Sequence, residues 1–174
     1  GIGGWACRPV IFIFALLALS CGGSGGDTNT SAGEPREVIV DASGNGDYRS
    51  IQQAVREAVP GTVITVRAGT YNENLVFRKS GTAEQPITLR NYPEETPIII
   101  PGTGLAQRVE LNAEYIIVEG FEIQGGYDGI KIYKSNNTIR NNYVHNNKFT
   151  GILVAATTGE ISNVLIENNV VESN

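Results

Sequence analysis

The sequence has few of the side chains that build most catalytic and metal sites. One histidine, two cysteines, one tryptophan and no methionine occur among its 174 residues. No Cys/His cluster of the kind that holds zinc is present, nor a phosphate-binding glycine loop or a Ser/His/Asp arrangement with supporting context. We predict that the single histidine, His145, is a solvated turn residue at the end of a strand. The sequence alone therefore identifies no catalytic residue and no metal site.

Positive charge and long apolar runs are also scarce. The formal net charge is −5, and no basic stripe or aromatic platform appears, which argues against a nucleic-acid partner. The apolar run from Val10 to Leu19 is too short to cross a bilayer, which takes about 20 residues. With Arg8 before it, this run predicts a secretory signal peptide over residues 1–20.

Cys21 follows this run and is a candidate lipidation site. It resembles the cysteine in the cleavage box of bacterial lipoproteins, although Ala18 and Leu19 stand where a leucine and a small residue are commoner. The alternatives are an ordinary signal peptide or an incidental thiol. Residues 21–36 have the composition of a flexible tether. These features predict an exported outer-membrane or cell-surface lipoprotein that touches the membrane only through its lipid, or otherwise a periplasmic or secreted protein.

The rest of the chain is dominated by a repeat. One pattern occurs three times, in Ile116–Ile123, Thr138–Val144 and Leu165–Val171. Its aligned positions Val118, Ile139 and Ile166 are 21 and 27 residues apart, and Gly129–Ile132 recurs 22 residues later as Gly151–Val154. The apolar stretches are short and separated by polar turns, whereas a helical solenoid needs runs of roughly 10 periodic residues. The repeat therefore predicts a solenoid of strands.

Three strands for each turn of the solenoid make a parallel β-helix, in which like strands stack about 4.8 Å apart. Period-two alternation then places one set of aliphatic side chains inside each coil. The predicted inward residues of one coil are Ile130, Ile132, Ile139 and Val144, and those of the next are Ile152, Val154, Ile166 and Val171. At about 1.5–3 kcal/mol for each buried aliphatic side chain, these columns are expected to be the main source of stability.

A two-residue turn within each repeat carries its own pattern. Its first position is Gly120, Asn141 or Asn168, which are the residue types that most readily adopt a left-handed conformation. Its second position is Phe121, Asn142 or Asn169. We predict that these second side chains point inward, with the two Asn amides hydrogen-bonded along the stack and Phe121 closing it. The alternative is that the Asn pairs are only polar turn residues.

A helix and several strands are predicted upstream of the repeat. Ser50 is a candidate N-cap for a helix over Ile51–Val59, which Pro60 ends, and we interpret this amphipathic helix as the cap of the first coil. Gly69–Tyr71 is predicted to be a turn. The strands predicted here are Val38–Val40, Val63–Val66, Leu75–Phe77, Ile87–Arg90 and Ile98–Ile100. The β-helix domain is thus placed at residues 37–174, and we expect it to be truncated at its C-terminus, within a longer natural chain.

These segments resemble a known superfamily. The stretches NNTIRNNYVHNN, GILV and SNVLIENNVVESN look like the repeats of the pectate-lyase-like superfamily. The stretches Val40–Phe77 and Gly81–Ile100 resemble the N-terminal segment of bacterial β-helix proteins, including polysaccharide lyases of family nine. The resemblance covers residues 38–174 and implies an all-β, right-handed parallel β-helix. It is specific for the fold and much less so for the activity.

The resemblance also implies where a polysaccharide would bind, because in that superfamily it lies along the stacked strands of one face. The candidate substrate-binding residues are Asp128, Lys131 and Lys148, in and before the strand Gly129–Ile132 and in the matching loop one coil later. Lyase chemistry needs a cation that neutralises the substrate carboxylate and a base near the α proton, roles suited to calcium held by carboxylates and to Lys or Arg. The alternative is that these are ordinary exposed side chains.

The acidic cluster and the base typical of family-nine lyases have no match in these residues. We therefore expect no cofactor in this part of the chain, with calcium an option for the full-length protein, and no turnover by this part alone. The leading hypothesis is a protein acting on polysaccharide by β-elimination on uronate-containing glycans. The alternatives are a non-catalytic β-helix that binds glycan or presents a surface, and a glycoside hydrolase or epimerase on the same fold.

Overall fold

The computed structural model describes residues 36–102, 108–157 and 159–174. The predicted signal peptide, Cys21 and almost all of the predicted tether lie outside these residues. The described parts contain one helix, α1 (Ile51–Glu57), and a series of short strands. The strands are β1 (Glu37–Val40), β2 (Val63–Val66), β3 (Gly69–Asn72), β4 (Leu75–Phe77), β5 (Ile87–Asn91), β6 (Pro97–Ile100), β7 (Val109–Leu111), β8 (Ile116–Glu119), β9 (Glu122–Gln124), β10 (Asp128–Ile132), β11 (Thr138–Arg140), β12 (Tyr143–His145), β13 (Thr150–Val154), β14 (Leu165–Glu167) and β15 (Val170–Glu172).

The strands form three parallel sheets, and each full coil contributes one strand to every sheet. The first sheet has the order β1-β2-β5-β8-β11-β14, the second β3-β6-β9-β12-β15, and the third β4-β7-β10-β13. Strands β8, β9 and β10 of one coil therefore pair with β11, β12 and β13 of the next. The described residues form an all-β parallel solenoid of about five turns with one short helix, which confirms the predicted fold class.

The aliphatic columns lie in the register that the repeat predicts. Ile130 and Ile132 pair with Ile152 and Val154, Ile139 pairs with Ile166, and Val144 pairs with Val171. The first members of these pairs are fully buried. Val154, Ile166 and Val171 are exposed, since no further described coil packs over them.

From Tyr115 onward, each coil turns three corners, and every one of these corners uses one residue with positive φ. Gly120, Asn141 and Asn168 have φ values of 83°, 57° and 53°, so the predicted left-handed turn is confirmed. The other two corners also place one positive-φ residue in each coil, which the sequence patterns did not predict. Their positive-φ residues are Tyr115, Asn136 and Asn163 at one corner and Gly125, Asn146 and Ser173 at the other.

The predicted asparagine ladder is present at the middle corner. Asn142 is buried, and its Oδ1 accepts a hydrogen bond from the backbone N of Phe121 at 3.1 Å. Its Nδ2 donates to the backbone O of Val118 at 3.1 Å and to Oδ1 of Asn169 at 3.0 Å. Two further buried asparagines act in the same way at the other corners, where Asn137 Oδ1 accepts from Ile116 N and Asn147 Oδ1 accepts from Gly126 N, each at 2.9 Å.

Helix α1 covers the first coil, as predicted. Its residues Ile51, Ala54 and Val55 are buried in the core cluster. Ser50 Oγ accepts from Gln53 N at 3.2 Å, which confirms the N-cap, and Glu73 accepts from Ile51 N at 3.0 Å.

One predicted helix boundary and one predicted turn were wrong. The helix ends at Glu57 instead of Val59, because Ala58 already has an extended ψ of 144°. Pro60 also disfavours helical conformation in Val59, the residue directly before it. Gly69–Tyr71 is part of strand β3 and not a turn, because it pairs with β6 of the next coil. Strand β6 is distant in sequence from Gly69, so the glycine alone indicated a turn where a strand forms.

Candidate functional site

The third sheet carries two of the three predicted substrate-binding residues in one strand. Its outward-facing side chains lie in register across the coils. In the order of the strands β4, β7, β10 and β13, the paired residues are Val76, Glu110, Lys131 and Leu153. We call these four residues the outer row. Lys131 therefore lies on the sheet surface, as the alternation along Gly129–Ile132 predicts.

Asp128 and Lys131 lie close together, but Asp128 is not an exposed loop residue. It is the first residue of β10, pairs with Thr150, and is only 1% exposed. Its Oδ2 is 3.6 Å from Nζ of Lys131, whose side chain is 20% exposed. This ion pair holds the partly exposed ammonium of Lys131 beside the buried start of β10.

The environment of Lys131 keeps its side chain positively charged. The hydrogen bond to Tyr133 is the largest cause that raises the pKa of Lys131, and the Asp128 carboxylate acts in the same direction. The ammonium is also 5.3 Å from the centre of the Tyr133 ring. An amine held in its protonated form suits the binding of a carboxylate and is poorly suited to taking up a proton as a base.

Lys148 lies in the loop before β13, directly over the loop before β10. Its backbone N donates to the backbone O of Gly126 at 2.8 Å, and its side chain is exposed. The next residue, Phe149, stacks on Tyr127 of the coil below with ring centres 5.2 Å apart and an interplanar angle of 14°. Tyr127 is 37% exposed and Phe149 is 64% exposed. An exposed pair of stacked rings is therefore formed by the residue after Lys148 and the residue before Asp128.

Arg108 lies directly before β7, one coil below the start of β10. The sequence did not predict a role for it. Its side chain is completely buried, and its Nη1 donates to Oδ1 of Asn74. Its backbone N donates to the backbone O of Asp128 at 3.1 Å, so the two buried charged residues share one strand edge. Burial lowers the pKa of Arg108, because a low-dielectric interior disfavours the charged form.

A second polar cluster lies on the outer surface of the second sheet, and it corrects the prediction for His145. His145 is in strand β12 and is only 8% exposed, so it is not a solvated turn residue. Its ring stacks on Tyr143, and its Nε2 is 3.1 Å from Oε1 of Glu122 in the coil below. Tyr143 Oη donates to Oε1 of Glu172 at 2.6 Å, which is the first cause of the raised pKa of Tyr143.

Metal ligands are not grouped in the described residues. No set of three or more His, Cys, Asp or Glu side chains in residues 36–102, 108–157 and 159–174 could hold a metal ion. Over the same residues, no helix has the length and apolar character needed to cross a membrane.

Comparisons with known proteins assign the chain to a family. The family described as "Pel9A-like, right handed beta helix region" matches residues 39–173. The chain belongs to this Pel9A-like family. The match covers nearly all of the described residues and agrees with the three parallel sheets.

Curated relatives of this Pel9A-like chain include two pectate lyases. Pectate lyase PEL9 of Emericella nidulans is 35% identical over 59% of this chain and 31% of its own length. Pectate lyase L of Paenibacillus polymyxa is 31% identical over 59% of this chain and 25% of its own length. The uncharacterized protein YwoF of Bacillus subtilis is 41% identical over 39% of this chain and 13% of its own length. The chain thus spans less than a third of each of these relatives.

Two solved structures share the fold. The crystal structure of pectate lyase Pel9A superimposes with a TM-score of 0.62 and 23% identity, over 76% of this chain and 38% of that chain. The crystal structure of the alginate lyase from Paenibacillus sp. str. FPU-7 gives a TM-score of 0.55 and 23% identity, over 76% and 58% of the two chains. At these identities the likeness concerns the β-helix fold alone.

Sequence reasoning missed Arg108 and the His145 cluster of this Pel9A-like chain for different reasons. The His145 cluster had a usable signal, because aligning Val144 with Ile123 places Tyr143 directly over Glu122. Both side chains of that pair must then face outward by period-two alternation. Arg108 had no such signal, since an arginine at the start of a strand is usually exposed.

Proposed function

We propose that the whole protein acts on acidic polysaccharide, with β-elimination on uronate-containing glycans as its reaction. The observation that carries this proposal is the Pel9A-like family match over residues 39–173, with two relatives that are named pectate lyases. The chain spans less than a third of those relatives, so the proposed activity is that of the complete protein.

On this chain, the chemistry of the Lys131–Asp128 pair supports a role in holding the substrate carboxylate. β-Elimination requires positive charge beside the carboxylate and a base at the α proton. Lys131 stays protonated because of Tyr133 and Asp128, so we assign it the first role and not the second. Lys148 supplies an exposed positive charge in the loop before β13, the neighbouring strand of the third sheet. We assign no base and derive no metal-dependent step from the described residues.

Non-catalytic glycan binding is the second candidate function. It is favoured by the exposed Tyr127–Phe149 stack, because a flat apolar surface next to cations can hold one face of a sugar ring while the cations bind its carboxylate. A lyase assay separates the two candidates. The complete protein is incubated with polygalacturonate and with alginate, with and without calcium, and unsaturated product is followed by ultraviolet absorbance. Binding without any product would favour the second candidate.

We expect Lys131→Ala to weaken binding of oligogalacturonate by about 10-fold, because it removes one charge-assisted contact with a carboxylate. Isothermal titration calorimetry on the 174-residue chain measures this effect. The matched control is Lys134→Ala, which removes an exposed lysine from the loop after the same strand. Equal affinities for Lys131→Ala and the unmodified chain would contradict the assignment.

We also propose that the protein is exported and carries a lipid on Cys21, on the basis of the apolar run and the cysteine that follows it. When expressed in a bacterium with a complete start, the protein is expected to incorporate a labelled fatty acid and to partition into detergent. Cys21→Ser should abolish both properties, because it removes the thiol that accepts the lipid. Label that persists in Cys21→Ser would show that the cysteine is not the attachment site.

A further inference from the structure

A cleft between helix α1 and strand β4 lies apart from the Lys131 site. Its volume is about 550 Å³, and its walls come from two separate segments. The helix side contributes Gln52, Val55 and Arg56, and the strand side contributes Asn74, Val76, Arg78 and Lys79. The cleft is therefore built where the capping helix meets the edge of the third sheet.

The two walls are held in place by hydrogen bonds between side chain and backbone. The Gln52 amide accepts from the backbone N of Val76 at 2.7 Å and donates to its backbone O at 3.4 Å. The Glu73 carboxylate, which precedes β4, accepts from the backbone N of Ile51 and of Gln52. These hydrogen bonds satisfy the backbone N–H and C=O of Val76 on the edge strand β4. A second strand cannot pair there, so a ligand must be recognised by side chains.

The cleft concentrates positive charge in an acidic protein. Arg56, Arg78 and Lys79 all line it, although the formal net charge of the sequence is −5. In the part of the chain that the structure describes, the ion pairs are made by other cations, and none of these three takes part. Two acidic side chains of this region are engaged elsewhere, since Glu57 binds Tyr48 Oη at 2.7 Å and Glu73 caps the helix.

The cleft also has apolar surface, which Val55 and Val76 contribute. The amides of Gln52 and Asn74 line it too, but they are already bound to the Val76 backbone and to Arg108, so the cations are its main polar binding groups. None of the described residues that line the cleft is aromatic, whereas single-stranded nucleic acids are usually bound by stacking on aromatic rings. A flexible row of carboxylates on sugar rings fits this combination of positive charge and apolar surface.

We infer that this cleft binds the carboxylate groups of an acidic polysaccharide through Arg56, Arg78 and Lys79, as a subsite separate from Lys131. The inference rests on the proposed function and adds a second place on this chain where the acidic glycan is held. Val76 and Lys131 both belong to the outer row and lie two strands apart, a distance of about 10 Å. Glu110 stands between them and repels an anionic chain, so the cleft is assigned as a separate subsite.

The test compares two pairs of substitutions in the 174-residue chain. Arg78→Gln with Lys79→Gln removes two cations of the cleft, and Lys134→Gln with Arg49→Gln removes two exposed cations that do not line it. The probe is fluorescently labelled oligogalacturonate, with methyl-esterified oligogalacturonate as the neutral arm and a single-stranded DNA oligonucleotide as the other polyanion. Thermal unfolding of both variants checks that the exposed substitutions leave the fold intact.

The expected result is at least a 10-fold loss of oligogalacturonate affinity for the cleft variant and less than a 2-fold change for the control variant, since charge-assisted contacts are worth roughly one to two powers of ten in affinity. The neutral probe should bind weakly to every variant. Equal affinity of the cleft variant and the unmodified chain overturns the inference, and so does tighter binding of the DNA.

The outcomes separate this inference from the proposed function. If the cleft variant binds normally while Lys131→Ala binds weakly, the cleft assignment fails and the proposed function stands. If the cleft variant loses affinity but the complete protein yields no unsaturated product, the cleft stands and the lyase activity fails. An unmodified chain that binds no oligogalacturonate at all contradicts the cleft assignment directly.

Discussion

Asn142→Ala is expected to lower the free energy of unfolding by about 2–3 kcal/mol. The Asn142 side chain accepts a hydrogen bond from the buried backbone N of Phe121 and donates to the backbone O of Val118. Alanine leaves the Phe121 N–H without a partner in the core, and each unsatisfied buried group costs roughly 1–3 kcal/mol. Urea unfolding of the 174-residue chain, followed by circular dichroism, measures the loss.

Asn141→Gly is the matched control, one residue earlier in the same turn. Asn141 is exposed and has a φ of 57°, a conformation that glycine adopts without steric cost. We expect its free energy of unfolding to change by about 0.5 kcal/mol or less. Equal losses for the two variants, or a larger loss for Asn141→Gly, would mean that the inward and left-handed positions had been exchanged.

Gly129→Ala is expected to destabilise the chain by about 3 kcal/mol, the upper end of the usual cost of overpacking. A Cβ at Gly129 would lie 2.5 Å from Cγ1 of Val144, 2.6 Å from the backbone O of Gly151 and 2.9 Å from Nδ2 of Asn147. The Gly151 carbonyl belongs to the next coil and cannot move without disturbing the pairing of β10 with β13. Thermal and urea unfolding both report the effect.

Gly159→Ala serves as the control for Gly129→Ala. A Cβ at Gly159 would meet no heavy atom within 4 Å, so only its positive φ of 75° opposes the change. That conformational cost is about 1 kcal/mol for a residue with a side chain. If both variants lost the same stability, the close approach of the coils at Gly129 would not be the reason for the glycine.

The recurrence of glycine in Gly129–Ile132 and Gly151–Val154 now has a physical explanation. A Cβ at Gly151 would lie 2.4 Å from Cγ1 of Val171 and 2.9 Å from Nδ2 of Asn174, which occupy the same places as Val144 and Asn147 one coil below. The repeat shows that glycine is preferred here. It does not show why, because the residues that exclude a side chain belong to another strand.

The stacking of the coils could be predicted because it depends on properties of neighbouring residues. Alternation decides which side chains face inward, and the left-handed preference of Gly and Asn marks where the chain bends. Once Val118, Ile139 and Ile166 are aligned, the register of the first sheet follows, and the structure has the same register. The same reasoning, applied to Asn136 and Asn146, would have predicted the other two corners.

The candidate site depended on contacts that no local pattern encodes. Asp128 was predicted to be an exposed residue before a strand, but its pairing with Thr150 in the next coil makes it part of β10 and buries it. His145 was predicted to be a solvated turn residue because it stands at the end of a strand. Glu122 in the coil below and Tyr143 beside it shield the ring instead.

By itself, the sequence determined the parallel β-helix and the inward columns, since these follow from alternation and from the repeat spacing of residues 116–171. The family was indicated by the resemblance of residues 38–174 to known β-helix repeats, and the family match over residues 39–173 shows it. Only the tertiary structure decided which charges meet. Gln52 reaches Val76 across 24 residues and so creates the cationic cleft, and the coil spacing brings Glu122 within 3.1 Å of His145. The reason is that charged groups on a solenoid surface are neighbours across coils and across the cap. Their distances depend on how many residues each loop contains, and the alternation of the strands does not specify that number.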